Sequence, residues 1–484
     1  MASLNPTRAR RVKCDEQRPA CKRCIGTGRV CPGYPDATSQ KAEIKIYNIP
    51  FKVPGSRADR ELLHFYCTEA AGRLSRFSRS DLWTCLVLQR SQHQPVIRNA
   101  LVALSALYRD YLQSGSSGLA ASPKHIQLIT RSHKQLRAHL LSPNASPEAA
   151  LICSLMFYVF ECLVGNARQA IWHLDQGLVL LQRCCTFHPA LMQDPIFVQL
   201  FAVFSQLDIH ASVFSGERAP VLDLALPEQI SGAASVVPDS FSSLDQAEGV
   251  MVILQNWTMR HLVQYVEYKQ KAPSKVPFHV KRERLHSEAE FRRFEQAIQS
   301  LAPGPDERSD DQQGRIMLLH THALIFRGVL LENNFCDMDE FNVQAEASYT
   351  FEIALDKAAR LLLSFSKPPP GRVFTLSTNI IAMLYFICMK TTDRHILQQT
   401  LSLMRGSLFA ARDGLWDSNA ATLMVEAMLP EDALVESDTS ELAIKLEDIG
   451  AGIVDAAGNF DDAYQTLQCA QRAFSESTTP ESIP

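Results

Sequence analysis

Residues 146–183 read SPEAALICSLMFYVFECLVGNARQAIWHLDQGLVLLQR. Ser146-Pro147-Glu148 opens a helix, because the serine hydroxyl caps free backbone N–H groups and proline needs none at the first helical position. Residues 151–165 (LICSLMFYVFECLVG) are apolar on nearly all sides, which predicts a buried helix rather than a surface one. Gly165 ends that helix, and Asn166 caps the next, ARQAIWHLDQGLVLLQR.

The same helical spacing extends in both directions. ADRELLHFYCTEAAGRL, from about Ala58, places Leu62, Leu63, Phe65, Tyr66 and Ala70 at helical intervals. Pro95 opens residues 95–112, which carry Ile97, Leu101, Leu104, Ala106 and Leu107. Further helices are predicted near 193–214, 245–270, 286–301, 313–332, 346–365, 374–390, 395–412 and 459–474, with loops at 114–123, 231–245, 302–312 and 367–372. Few runs alternate with period two, so no sheet is expected, and no internal repeat appears.

Composition narrows the function classes. The chain has 484 residues, 46% hydrophobic and 21% charged, a globular balance. The longest unbroken apolar run, Ile380–Met389, is short of the about twenty residues that span a bilayer. No N-terminal secretory signal is apparent, so the expectation is a soluble intracellular protein. H-E-x-x-H, P-loop and G-x-S-x-G patterns are absent from the sequence, and no enzyme activity is expected.

The net charge of −4 hides an asymmetry. Residues 1–35 hold eight Lys/Arg against two acids, whereas the remainder carries 40 basic and 50 acidic residues. A small basic head on a large acidic body points to a polyanion-binding module. At the other end, residues 426–484 hold 13 acids against Lys445 and Arg472, with Leu429, Leu434, Leu442 and Ile444 among them. That stretch is either a coactivator-recruiting segment or a solubilising tail.

The head carries the chemistry. Cys14, Cys21, Cys24 and Cys31 form a C-x6-C-x2-C-x6-C pattern within 18 residues. Four thiolates suit one tetrahedral zinc, and neighbouring Lys and Arg favour the thiolate form. A disulfide framework is the alternative, disfavoured by the expected intracellular setting. So short a segment cannot bury a core of its own and needs such a staple. The other nine cysteines are scattered through helical text and read as buried small hydrophobes.

RARRVKCDEQRPACKRCIGTGRVCPGYP resembles the fungal binuclear zinc cluster transcription factors. The basic run Arg8–Lys13 before Cys14, Asp15-Glu16, Pro19 before Cys21, the Cys21/Cys24 pair and Cys31-Pro32-Gly33-Tyr34 carry the likeness, over about 30 residues. A second likeness, to the regulatory region of these factors, lies in Phe157-x2-Phe160-Glu161 through Leu180-Leu181 and in Leu207-Asp208-x-His210-Ala211-x2-Phe214. Glu161, Trp172 and His173 are tempting site residues there, but packing accounts for them more simply.

The resemblance implies two zinc ions on six cysteines, and a short helix whose basic residues read a CGG triplet in the major groove. Arg10 and Arg11 match the base-reading pair, flanked by Arg8 and Lys13, while Lys22, Arg23 and Arg29 would contact phosphates. One departure is serious. The family's first C-x2-C pair falls at positions 4 and 7, which hold Leu4 and Thr7. Three readings fit: an incorrect start to the sequence, a single zinc in a rearranged loop, or a decayed module. The abrupt onset of the match at Arg8 favours the first.

The expectation is therefore a mostly all-α chain: a zinc cluster module at 1–35, a linker at 36–57, an all-helical regulatory domain at 58–425 and an acidic region at 426–484. It implies a nuclear, zinc-dependent regulator that binds double-stranded DNA at CGG-like sites, controls RNA polymerase II genes of a metabolic or secondary-metabolite pathway, and acts as a homodimer or heterodimer with coactivators. The alternative is a helical protein-interaction regulator that has lost DNA binding.

Overall fold

The computed structural model describes residues 17, 19–30, 54–75, 81–114, 121–224, 235–268, 271, 273–301, 310–332, 340–364, 373–376, 378–391, 393–406 and 412–428. The chain divides into two compact units, Met1–Lys52 and Val53–Pro484. In the first, the described residues form one short helix, α1 (Lys22–Ile25).

The second unit is helical almost throughout. Ser56 and Asp59 form a reciprocal cap that starts α2 (Arg57–Phe65), which runs through a π-turn (Tyr66–Ala70) into α3 (Ala71–Leu74). A second π-turn (Leu82–Leu86) leads into α4 (Val87–His93), and the Tyr66 hydroxyl donates to the Trp83 carbonyl at 3.0 Å, tying the two turns together. Then follow α5 (Pro95–Gln113), α6 (Pro123–Leu140), α7 (Pro147–Val164), α8 (Ala167–Phe187) and α9 (Pro195–Ser215). Beyond them come α10 (Leu244–Gln264), α11 (Phe278–Ala297), α12 (Asp310–Glu332), α13 (Glu340–Ser364), α14 (Ile380–Lys390), α15 (Arg394–Arg405) and α16 (Ser418–Met428). The mostly all-α expectation is borne out.

Helix α7 forms the centre. Every residue from Ala149 to Phe160 is buried, so its apolarity on all sides reflects neighbours on all sides. Gly165 adopts φ +88° behind it, a left-handed conformation that glycine takes without a Cβ penalty, and its N–H closes onto Glu161 and Cys162 carbonyls. The Asn166 side chain then accepts from Gln169 N and starts α8. At Gly177, α8 lies against α7 and α9 so closely that a Cβ would come within 2.4 Å of Phe204 and 2.6 Å of the Ser154 hydroxyl. That contact gives the glycine in the regulatory-region pattern a packing reason.

By length and composition, three helices could cross a membrane: Pro147–Val164, Pro195–Ser215 and Gln312–Glu332. Between 72% and 78% of each is buried inside the fold, which is where their apolar character goes.

Some sequence expectations change. Helix α6 went unpredicted, because its text (PKHIQLITRSHKQLRAHL) has only a thin apolar stripe. The helix expected near 374–390 begins at Ile380, since Phe374 and Thr375 form a short strand β1 (Phe374–Thr375) instead. It pairs in parallel with β2 (Arg412–Asp413), which pairs antiparallel with β3 (Trp416–Asp417). Consequently the helix expected near 395–412 stops at Arg405. The segment near 459–474 lies outside the described residues.

The small sheet is organised by a buried carboxylate. Asp413 accepts from Thr375 Oγ1 (3.0 Å), Thr378 Oγ1 (2.6 Å) and Ile380 N (3.0 Å), thereby capping α14. Burial raises its carboxyl above the usual range, and these donors oppose the rise.

Candidate nucleic-acid interface

In the first unit, Cys21 is the N-cap residue of α1 and Cys24 its third residue. Cys24 N donates to the Cys21 sulfur at 3.3 Å, and the Cys21 carbonyl accepts from Cys24 N (3.0 Å) and Ile25 N (3.1 Å). The chain then turns back through Gly28 (φ +65°), and Arg29 N bonds the Cys24 carbonyl at 3.1 Å. C-x2-C spacing on a tight turn brings both sulfurs to one side, as a shared metal ion requires.

Burial tests whether zinc fits this turn. Among the described residues of the unit, Cys21 and Cys24 are the buried ones, at 0% and 5% exposure, while Ile25 and Val30 face outward at 65% and 95%. The inside of the turn is thus sulfur rather than hydrocarbon, and both cysteines are free of disulfides. That donor set fits zinc. When bound, zinc supplies a cross-link to a turn whose described residues bury no hydrocarbon side chain.

Lys22 is exposed on α1. Cys14, Cys31, Arg8, Arg10, Arg11 and Lys13 lie outside the described residues, as does the side chain of Arg23. Of the expected ligand set, the described residues include the Cys21/Cys24 half, which one turn brings together. Among the described residues, no group of three or more His, Cys, Asp or Glu could hold a metal.

In the helical unit, His173 has a packing role, while Trp172 is 54% exposed. His173 packs against His133, Phe157 and Trp172 with ring centroids 5.4, 5.3 and 5.0 Å apart, and burial first, then His133, lowers it to about 4. It is a packed histidine, as simple helix packing suggests. Glu161 is half-buried, and burial raises its carboxyl to about 7.

Asp208 does more than packing alone indicates. It is fully buried and accepts from Val221 N (3.1 Å) and Leu222 N (2.8 Å), while Arg218 reaches its Oδ1 at 2.7 Å and Asp175 Oδ1 at 2.6 Å. The clasp holds the chain leaving α9 against α8. Glu290 plays a similar part, accepting from the Ser235 hydroxyl and from Val236 N and Val237 N. Sequence reasoning missed both clasps, although a charged residue inside an apolar run (LFAVFSQLDIHASVF) was a usable signal for Asp208.

Residues 61–331, more than half the chain, match the family described as fungal specific transcription factor domain. This chain belongs to that family. Residues 8–41 of this family member also match the fungal Zn(2)-Cys(6) binuclear cluster domain, a match that begins just after Thr7. The cluster domain binds zinc, and its union with the regulatory domain is the arrangement of a fungal DNA-binding transcription regulator. Such regulators are not enzymes.

Two curated relatives are similar to this family member. One is the transcription regulator lscL of Purpureocillium lilacinum, 26% identical over 282 residues, 49% of this chain and 67% of that protein. The other is the aspercryptin biosynthesis cluster-specific transcription regulator atnN of Emericella nidulans (strain FGSC A4), 26% identical over 256 residues, 46% of this chain and 42% of that protein. The chain thus spans less than half the length of the second. No solved structure matches it.

Buried and half-buried histidines of the family domain favour its folded state near neutral pH. Burial is the leading cause that lowers His133, His173, His210, His261, His320 and His322, with His173, His320 and His322 at about 4 and His210 at about 3. These groups are neutral when folded but take up protons when unfolded, near pH 6.5. Their stabilising contribution is therefore complete above about pH 6.5 and lost as pH falls toward about 4. Glu161, Glu295 and Asp413, raised chiefly by burial, act in the opposite sense but are fewer. The urea midpoint is expected to be lower at pH 5.0 than at pH 7.5; an equal or higher midpoint would contradict this assignment.

Proposed function

We propose that this chain is a nuclear, zinc-dependent, sequence-specific regulator that reads CGG-like sites and controls RNA polymerase II genes of a metabolic pathway. The observation that carries this reading is the sulfur-lined turn of Cys21 and Cys24, eight residues beyond the basic run Arg8–Lys13 within one matched zinc cluster domain. Cys14, Cys21, Cys24 and Cys31 hold the metal. Arg10 and Arg11 read bases, and Arg8, Lys13, Lys22 and Arg23 secure the duplex. The atnN name supports a secondary-metabolite pathway. Residues 426–484 recruit coactivators, and a second copy or a related regulator completes the DNA-bound form.

An arginine that donates two hydrogen bonds to guanine O6 and N7 contributes about 1–3 kcal/mol of discrimination. Full-length protein supplied with zinc is expected to bind a CGG-containing duplex at least about 100-fold more tightly than a scrambled one in fluorescence anisotropy. Arg11→Ala should remove about 5- to 150-fold of the CGG affinity and leave zinc content unchanged. A wild-type protein that treats the two duplexes alike would favour the second reading, a helical interaction regulator without DNA binding.

A further inference from the structure

A cavity of about 490 Å³ opens between α9, α10 and α12. Its lining follows one gradient on all three helices. On α9 it runs from exposed Val198 through half-buried Phe201 to buried Ser205. On α10 it runs from exposed Asp245 and Gly249 to buried Gln255, and on α12 from half-buried Arg315 to buried Leu319 and His322. Seven residues of helix span about 10 Å, so this is a cleft with a mouth and a closed end, not a surface dimple. Its volume lies within the range of small-molecule sites.

The polar groups define what fits. At the mouth, Arg315 Nε donates to Glu248 Oε1 at 2.8 Å, and its guanidinium lies 3.6 Å from Asp245. An anionic ligand would compete with that ion pair instead of meeting an open cation. At the closed end, His322 donates through Nε2 to the Thr378 carbonyl (2.9 Å) and accepts at Nδ1 from Gln255 Nε2 (3.2 Å). Burial keeps this histidine neutral, at about 4. The Ser205 hydroxyl is closed off from the surface and has no hydrogen-bond partner among the described residues. The walls between the two ends are Phe201, Ile253, Leu318 and Leu319.

We infer that this cleft is a binding site for a neutral, predominantly apolar small molecule. The site stands on the geometry of the helical domain and is independent of the DNA-binding reading.

The test uses the full-length protein and the neutral dye N-phenyl-1-naphthylamine. Saturable binding of one dye per chain is expected, with displacement by 1-decanol at least about tenfold stronger than by decanoate. Gly249→Trp fills the mouth from a position where a Cβ meets nothing within 4 Å. It should weaken dye binding at least tenfold with an unchanged melting temperature. Non-saturable dye binding, a Gly249→Trp protein that binds normally, or decanoate that competes as well as 1-decanol would each overturn the proposal.

Discussion

Cys21→Ser with Cys24→Ser abolishes CGG-specific binding, lowering affinity at least about 100-fold to the level of scrambled DNA, and releases zinc from the chain. Cys21 and Cys24 are the buried residues of the described turn, so among the described residues no hydrocarbon side chain is buried to hold α1 once the metal is gone. Serine preserves size but offers a hydroxyl, a poor ligand for zinc beside a thiolate. Anisotropy with the two duplexes measures the loss, and zinc content per chain measures the metal. The far-UV circular dichroism and melting temperature of the helical unit should not change, because its hydrophobic core contains neither cysteine. Retained CGG discrimination in the double variant would show that the basic run binds DNA without a metal-held scaffold.

Asp208→Ala has the largest expected effect on stability, a loss of about 3–5 kcal/mol. The carboxylate is fully buried, and its removal leaves Val221 N and Leu222 N without their acceptor. It also leaves the Arg218 guanidinium, 12% exposed, with Asp175 as its remaining carboxylate partner, beside the Asp208 carbonyl and the Ser212 hydroxyl. Burial pulls that guanidinium down, but Asp208 first and Asp175 second more than reverse the effect, so it remains charged in the fold. The urea midpoint of the helical unit measures the loss. Asp208→Asn keeps the shape and one acceptor oxygen and should fall between wild type and Asp208→Ala. A loss below about 1 kcal/mol in Asp208→Ala, the level of a surface pair, would show that the clasp is not needed.

Both predictions concern residues that the sequence presents with unequal clarity. The cysteine pair is legible because metal ligation depends on spacing along the chain, and C-x2-C fixes that spacing within one turn. The clasp is not, because Arg218 and the N–H groups it orders lie 10 to 14 residues beyond Asp208, in a segment without helical periodicity. Helix α6 shows a different limit. Its short apolar stripe is enough only because α5 lies against it, and that neighbour is not visible in a local window.

The sequence by itself determined the local elements. The Ser146, Pro147, Gly165 and Asn166 signals bounded α7 and α8, and the all-round apolarity of residues 149–160 announced a central helix. These features act through backbone N–H groups, φ preferences and side-chain periodicity, all within a few residues. Tertiary structure alone decided what depends on distant pairings. Phe374 and Thr375 leave the helical pattern because Arg412 and Asp413, nearly 40 residues away, offer them a strand partner and a carboxylate. The cleft between α9, α10 and α12 exists because three separately encoded helices line it together, a property of their packing that no single segment carries.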